Sequence, residues 1–137
     1  MYWIYGGSLI SGTIFVPFYN ASVLATNDVV LVATNYRLGS LGFMFGGRED
    51  APGNVGFYDQ LLALKWVRDN IHLFGGDRDQ ITIFGQSAGS WSVLFKRAIM
   101  ESGAHMYNKD RDVISKPEAL ASAQKLAEQL KCNTTEQ

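Results

Sequence analysis

The sequence predicts an α/β fold with a mainly parallel sheet and flanking helices. Three observations carry that expectation. Short apolar runs alternate with helical patterns along the chain, which is the order of strand–helix–strand units. One run, Val29 to Asn35 (VVLVATN), is β-branched and apolar on both faces, as a central strand of a parallel sheet would be. The helical stretches are closed and opened by clear punctuation, Gly75-Gly76 at one end and Ser115-Lys116-Pro117-Glu118 at the other.

Taken in order, Met1 to Tyr5 reads as a buried strand running into a Gly6-Gly7-Ser8 turn. A loop with Gly12, Pro17 and Asn20 follows. After the Val29–Asn35 strand, residues 39 to 54 are rich in glycine and contain Pro52, and read as loop. Residues 55 to 71 predict a helix, with Leu61, Leu64, Val67 and Ile71 on one face and Leu62 and Trp66 widening it. Ile81 to Phe84 is a short strand, with a turn at Ser87 directly after it. Residues 97 to 100 are another short strand, ended by Gly103, and residues 105 to 114 read as loop. Ser115 and Glu118 form a capping box for a last helix with a stripe of Leu120, Ala123, Ala127 and Leu130.

Bulk properties exclude several classes. The 137 residues fit one domain or a piece of one. A net charge of -1, with no basic block, argues against nucleic-acid binding. No run of about 18 apolar residues is present, so no transmembrane segment is expected. Met1 opens straight into a strand with no signal peptide. That start is expected for a domain truncated at both ends. Cys132 is the single cysteine, so no internal disulfide can form. Asn20-Ala21-Ser22 and Asn133-Thr134-Thr135 are glycosylation sequons.

The chemistry sits in Gly85-Gln86-Ser87-Ala88-Gly89. G-x-S-x-G directly after an apolar strand is the pattern of a nucleophile elbow. The serine must ride a very tight strand-to-helix turn so that its Oγ projects above the sheet. Side chains two residues before and after would collide there, so Gly85 and Gly89 are expected. The Ala88 N–H and the positive end of the following helix can face a developing oxyanion. Further donors are expected from the earlier glycine turn at Gly7 and Ser8.

These residues resemble the type-B carboxylesterase and cholinesterase-like family. Phe74-Gly75-Gly76 and the run from Ile81 to Gly89 match its serine signature, and Trp3-Ile4-Tyr5-Gly6-Gly7, Asn35-Tyr36-Arg37-Leu38-Gly39, Ala51 to Gly56 and Asp59-Gln60 look like further family blocks in family order. The resemblance implies a partial α/β-hydrolase fold and hydrolysis of a small-molecule carboxylic ester through an acyl-serine intermediate, without metal or cofactor. It implies Ser87 as nucleophile, Gly7, Ser8 and Ala88 as oxyanion donors, and a buried ion pair between Arg37 and Asp59. Cys132 looks like half of a disulfide whose partner is outside this sequence. A secreted or membrane-associated extracellular location is implied as well.

The chain departs from the family pattern in four places. Ser8 stands where a third glycine is usual, and Gln86 where Glu is common. About one helix of family sequence is missing between Val93 and Leu94. The triad acid and histidine lie further downstream in the family. Glu101 and His105 follow Ser87 in the right order, but the resemblance assigns neither a catalytic duty, and His72 reads as structural. Ser102 is a candidate for supporting the site. The chain alone is therefore expected to hydrolyse esters barely above background. Two other readings compete: a cholinesterase-like adhesion or binding module, and a truncated product that does not fold.

Overall fold

A computed structural model describes residues 1–92, 98–103 and 112–132. Its centre is a four-stranded sheet in the order β2-β1-β5-β6. The strands are β1 (Tyr2–Ile4), β2 (Val32–Ala33), β5 (Ile83–Gln86) and β6 (Ala98–Glu101). All three pairings are parallel. In register, Tyr2 pairs with Val32 on one side and Ile83 on the other. The helices are α1 (Ser22–Ala25), α2 (Gly39–Phe43), α3 (Val55–Asn70), α4 (Ala88–Trp91) and α5 (Lys116–Gln129).

Among the described residues, the strand expected to be central lies at an edge. Val29–Asn35 pairs only through Val32 and Ala33, and β2 lies at an edge of the sheet among the described residues. The central positions belong to β1, which pairs with β2 and β5, and to β5, which pairs with β1 and β6. Successive side chains of a strand face opposite sides. Tyr2, Ile4 and Ile83 accordingly line the space facing α3. Trp3 lies on the other face, with ring centres 4.8 Å from Phe84 and 5.2 Å from Tyr19. A cavity of about 380 Å3 remains between the first face and α3, lined by Tyr2, Gln60 and Trp91 among others.

The long helix falls where its pattern predicts, and most of its expected face is inward: Val67 and Ile71 are buried and Leu64 packs against the core, while Leu61, Leu62 and Trp66 are exposed. Gly56 and Gln60 are buried as well, so an apolar pattern alone does not outline the whole face. Gly56 has no room for a side chain, because a Cβ there would sit 2.4 Å from the Arg37 carbonyl oxygen. A short 3-10 turn, Ile71–Phe74, closes the helix, and Gly75 caps it at φ +81°.

Residues 39–54 are not simply loop. They contain α2 and an antiparallel hairpin of β3 (Phe45–Arg48) and β4 (Ala51–Pro52). Glycine-rich sequence hides such short elements, because neither apolar period has room to repeat. The hairpin supports α5, whose capping box forms as expected: Ser115 Oγ accepts from the Glu118 N–H at 3.4 Å, and Glu118 Oε2 accepts from the Ser115 N–H at 2.8 Å. Leu120, Ala123 and Ala127 are half-buried, whereas Leu130 is exposed.

Tyr5 and Tyr36 fasten β1 to the segment after β2. Their rings stack at 4.7 Å and 20°. The Tyr36 hydroxyl donates to the Tyr5 carbonyl oxygen at 2.9 Å, and both residues are buried. Burial pushes the Tyr36 phenol up, so it remains a donor across ordinary pH. Tyr36→Phe strands a buried carbonyl and is expected to cost about 1–2 kcal/mol. Urea unfolding checks it; an unchanged midpoint would remove the bond from the account of stability.

Candidate active site

Ser87 sits on the turn from β5 into α4 at φ +54° and ψ -125°. Positive φ is costly for a residue with a Cβ, and such strain persists only where the surroundings hold it. Here backbone groups and one side-chain hydroxyl hold it. The Ser87 N–H donates to the Glu101 carbonyl oxygen at 2.8 Å, which ties the turn to the end of β6. The Ser87 carbonyl oxygen accepts from the Ser90 N–H at 3.0 Å and from Ser90 Oγ at 2.6 Å. Ser90 is fully buried.

The two elbow glycines answer to sterics. A Cβ on Gly85 would lie 2.6 Å from the Gly89 carbonyl oxygen, and one on Gly89 would lie 2.1 Å from that of Ile4. The collision is therefore partly between the flanking residues and partly with the central strand. Gly6 is equally crowded: its Cβ would meet the Gln86 carbonyl oxygen at 2.5 Å and Ser87 Cβ at 2.9 Å. That contact brings the glycine turn after β1 against the serine.

The turn itself is left-handed for several residues. Gly7 has φ +124°, Ser8 +56° and Leu9 +62°. Ser8 occupies a conformation in which glycine would be at ease, and its side chain is exposed. Among the described residues, no acceptor takes the N–H of Gly7, Ser8 or Ala88. Ala88 is fully buried. Gly7 is half-buried and Ser8 exposed, so water can reach their N–H groups, whereas a buried residue such as Ala88 seldom leaves its N–H without a partner.

Other expected residues behave differently. Arg37 and Asp59 do pair, with Nε donating to Oδ2 at 2.8 Å and Nη2 to Oδ1 at 2.7 Å. The pair is not buried, however: the side chains are 55% and 23% exposed. It lies at the surface because α3 presents Asp59 on its flank rather than on its inner face. The hydrogen bonds from Arg37 hold the Asp59 carboxyl below its ordinary value of 3.8. A lowered pKa adds stability above the unfolded value and loses it as pH falls through the folded one. Urea midpoints are expected to fall below about pH 4 in the parent chain and to fall less in Asp59→Asn. Equal acid slopes for the two would discount the pair.

Gln86 is half-buried beside Gly6. Ser102 is exposed at φ +51°, and among the described residues its side chain forms no hydrogen bond. It turns the chain from β6 towards Gly103. His105, Asn133 and the junction of Val93 with Leu94 lie outside the described residues. His72 lies exposed in the turn after α3, and no described histidine or carboxylate is bonded to Ser87 Oγ. Cys132 is an exposed free thiol. Among the described residues no helix is long and apolar enough to cross a membrane.

Ser90 and Gly103 were not singled out for the site by sequence reasoning. A Cβ on Gly103 would fall 1.3 Å from Ser90 Oγ, so Gly103 leaves the space that the Ser90 hydroxyl fills. The available signal was the position of Ser90, three residues after Ser87 and one turn into a helix. A buried serine there has the Ser87 carbonyl within reach.

A mostly parallel sheet with flanking helices and a serine on a strained strand-to-helix turn constitute part of an α/β-hydrolase fold. The chain belongs to the carboxylesterase family, which matches residues 1–137. It is 52% identical over 116 residues to an acetylcholinesterase of Danio rerio, covering 75% of this chain and 18% of that protein. It is 50% identical over 117 residues to a cholinesterase of Mus musculus, covering 76% and 19%. A Branchiostoma lanceolatum cholinesterase 1 is 51% identical over 114 residues, covering 74% and 32%. The chain thus spans about a fifth to a third of the length of these relatives.

Proposed function

We propose that this chain supplies the nucleophile and the oxyanion donors of a carboxylic ester hydrolase. Ser87 Oγ attacks the ester carbonyl carbon, and its proton passes to solvent water. The carbonyl oxygen becomes an oxyanion that the N–H groups of Gly7, Ser8 and Ala88 receive. Collapse breaks the bond to the alkoxide, which takes a proton from solvent and leaves as the alcohol; water then hydrolyses the acyl-serine to a carboxylic acid and returns a proton to Ser87 Oγ. No metal or cofactor is needed for these steps. The single observation that carries the reading is the strained Ser87 backbone, held at φ +54° on a turn against which Gly6 packs.

An unassisted serine hydroxyl is a poor nucleophile at neutral pH. Losing a triad member costs several orders of magnitude. Glu101 and His105 are not assigned to that duty, so the chain by itself should acylate slowly and turn over barely above background. Incubation with p-nitrophenyl acetate, followed by intact-mass and peptide analysis, tests this. The expected result is slow acetylation at Ser87 that Ser87→Ala abolishes. Equal labelling of the two chains would overturn the nucleophile; robust turnover lost in Ser87→Ala would overturn the expected inactivity. The family resemblance also supports an extracellular setting, with Cys132 free to pair outside this sequence.

A further inference from the structure

The sequon at Asn20 lies on a groove that also reaches Gln86 and Glu101, beside the nucleophile turn, and its local geometry is specific. Pro17–Tyr19 form a short 3-10 turn that the Asn20 N–H closes on the Pro17 carbonyl oxygen at 3.1 Å. Asn20 is exposed, with extended backbone at φ -62° and ψ 113°. Its Oδ1 accepts two hydrogen bonds from Ser22, one from the backbone N–H at 2.9 Å and one from the hydroxyl. The Asn20 Nδ2 has no partner among the described residues. Bonds spanning two residues need no tertiary structure, so they can form on a nascent chain. Two donors on the amide oxygen stabilise the imidate form and make the Nδ2 protons easier to remove.

The surroundings supply a second argument. Phe18, two residues before Asn20, is 81% exposed, and Val23 is 80% exposed. Phe18 and Asn20 line one groove, together with Tyr19, Val23 and Leu24. Exposed apolar side chains on one groove offer a surface to the apolar face of a ligand. The C–H face of a sugar attached at Asn20 would be held beside the Phe18 ring, which already stands edge-on to Tyr19 at 4.7 Å.

We propose that Asn20 is an N-glycosylation acceptor and that Phe18 is the platform for its first sugar. The donor is a polyprenyl-diphosphate-linked oligosaccharide. Nδ2 bonds to the anomeric carbon, the anomeric C–O bond to the diphosphate breaks, and the Nδ2 proton is lost to a base of the transferase. This inference is independent of the reading of Ser87.

Translation of the full chain behind a cleavable secretory leader, with microsomes, tests the proposal. A control acceptor appended at the C-terminus reports entry into the lumen, and only chains carrying the control glycan are scored. The parent chain is expected to carry one glycan more than Asn20→Gln. Ser22→Ala should lose the same glycan, and Ser22→Thr should keep it. Equal mobility of the parent and Asn20→Gln overturns the acceptor. The platform has its own readout. Removing the glycan enzymatically should lower the Tm of the parent chain, and Phe18→Ser, which keeps the sequon, should abolish that difference. An undiminished difference in Phe18→Ser overturns the platform.

Discussion

Alanine at position 89 is expected to destabilise the chain by about 3 kcal/mol and to displace the nucleophile turn. Helix propensity points the other way, since Ala favours a helix over Gly by about 1 kcal/mol. Sterics win because of what the new methyl meets. Its Cβ would lie 2.1 Å from the Ile4 carbonyl oxygen and 2.7 Å from that of Tyr5. Both belong to the end of the central strand, whose partners on either side hold it in register. Neither can yield as the tip of a flexible side chain could. For a domain stabilised by roughly 5–15 kcal/mol, such a loss is large. Urea unfolding of Gly89→Ala measures it, and a midpoint within error of the parent would show that α4 can slide off the sheet without penalty.

Gly103→Ala is expected to cost about 2–3 kcal/mol, for a different reason. Its Cβ would overlap Ser90 Oγ at 1.3 Å and crowd Ser90 Cβ at 2.5 Å. To make room, the Ser90 hydroxyl must leave the Ser87 carbonyl oxygen that it bonds at 2.6 Å. The loss should then be coupled to Ser90. In the double variant Ser90→Gly/Gly103→Ala both of those obstacles are gone, and the next contact is the Ser87 carbonyl oxygen at 3.0 Å. A double-mutant cycle should show the pair to be more stable than the sum of the single losses by about 1–2 kcal/mol. Strict additivity would mean that Gly103 and Ser90 do not share one space.

Both substitutions act on the same arrangement. Ser87 is strained, and its N–H and C=O are each held by a neighbouring element. The strain is local, but what maintains it is not: Glu101 and Ser90 belong to β6 and α4. The family block around Ser87 therefore names the nucleophile position without naming all the residues that keep it in place.

Legibility from sequence followed the range of the interactions. The capping box at Ser115 and Glu118 was readable because its bonds span three residues. The glycine cap at Gly75 was readable because it answers to the backbone of the turn it closes. The elbow glycines were readable because Gly85 and Gly89 flank one another across a single turn. The place of Val29–Asn35 in the sheet was not readable, since apolarity on both faces does not say which neighbours a strand will find. The Arg37–Asp59 pairing was implied by resemblance, but its exposure was not, because exposure depends on which flank of α3 carries Asp59.

What the residues determined alone is the set of local devices: a helix start, a helix stop, a glycine-flanked serine and a glycine-rich turn. What only the tertiary structure decided is their assembly. It placed β1 and β5 at the centre, turned Gln60 inward, and brought Gly6 against Ser87. The physical reason is sequence distance. Gly6 and Ser87 meet because Tyr2–Ile4 and Ile83–Gly85 pair in register, and no local propensity encodes a parallel register across some eighty residues of intervening chain.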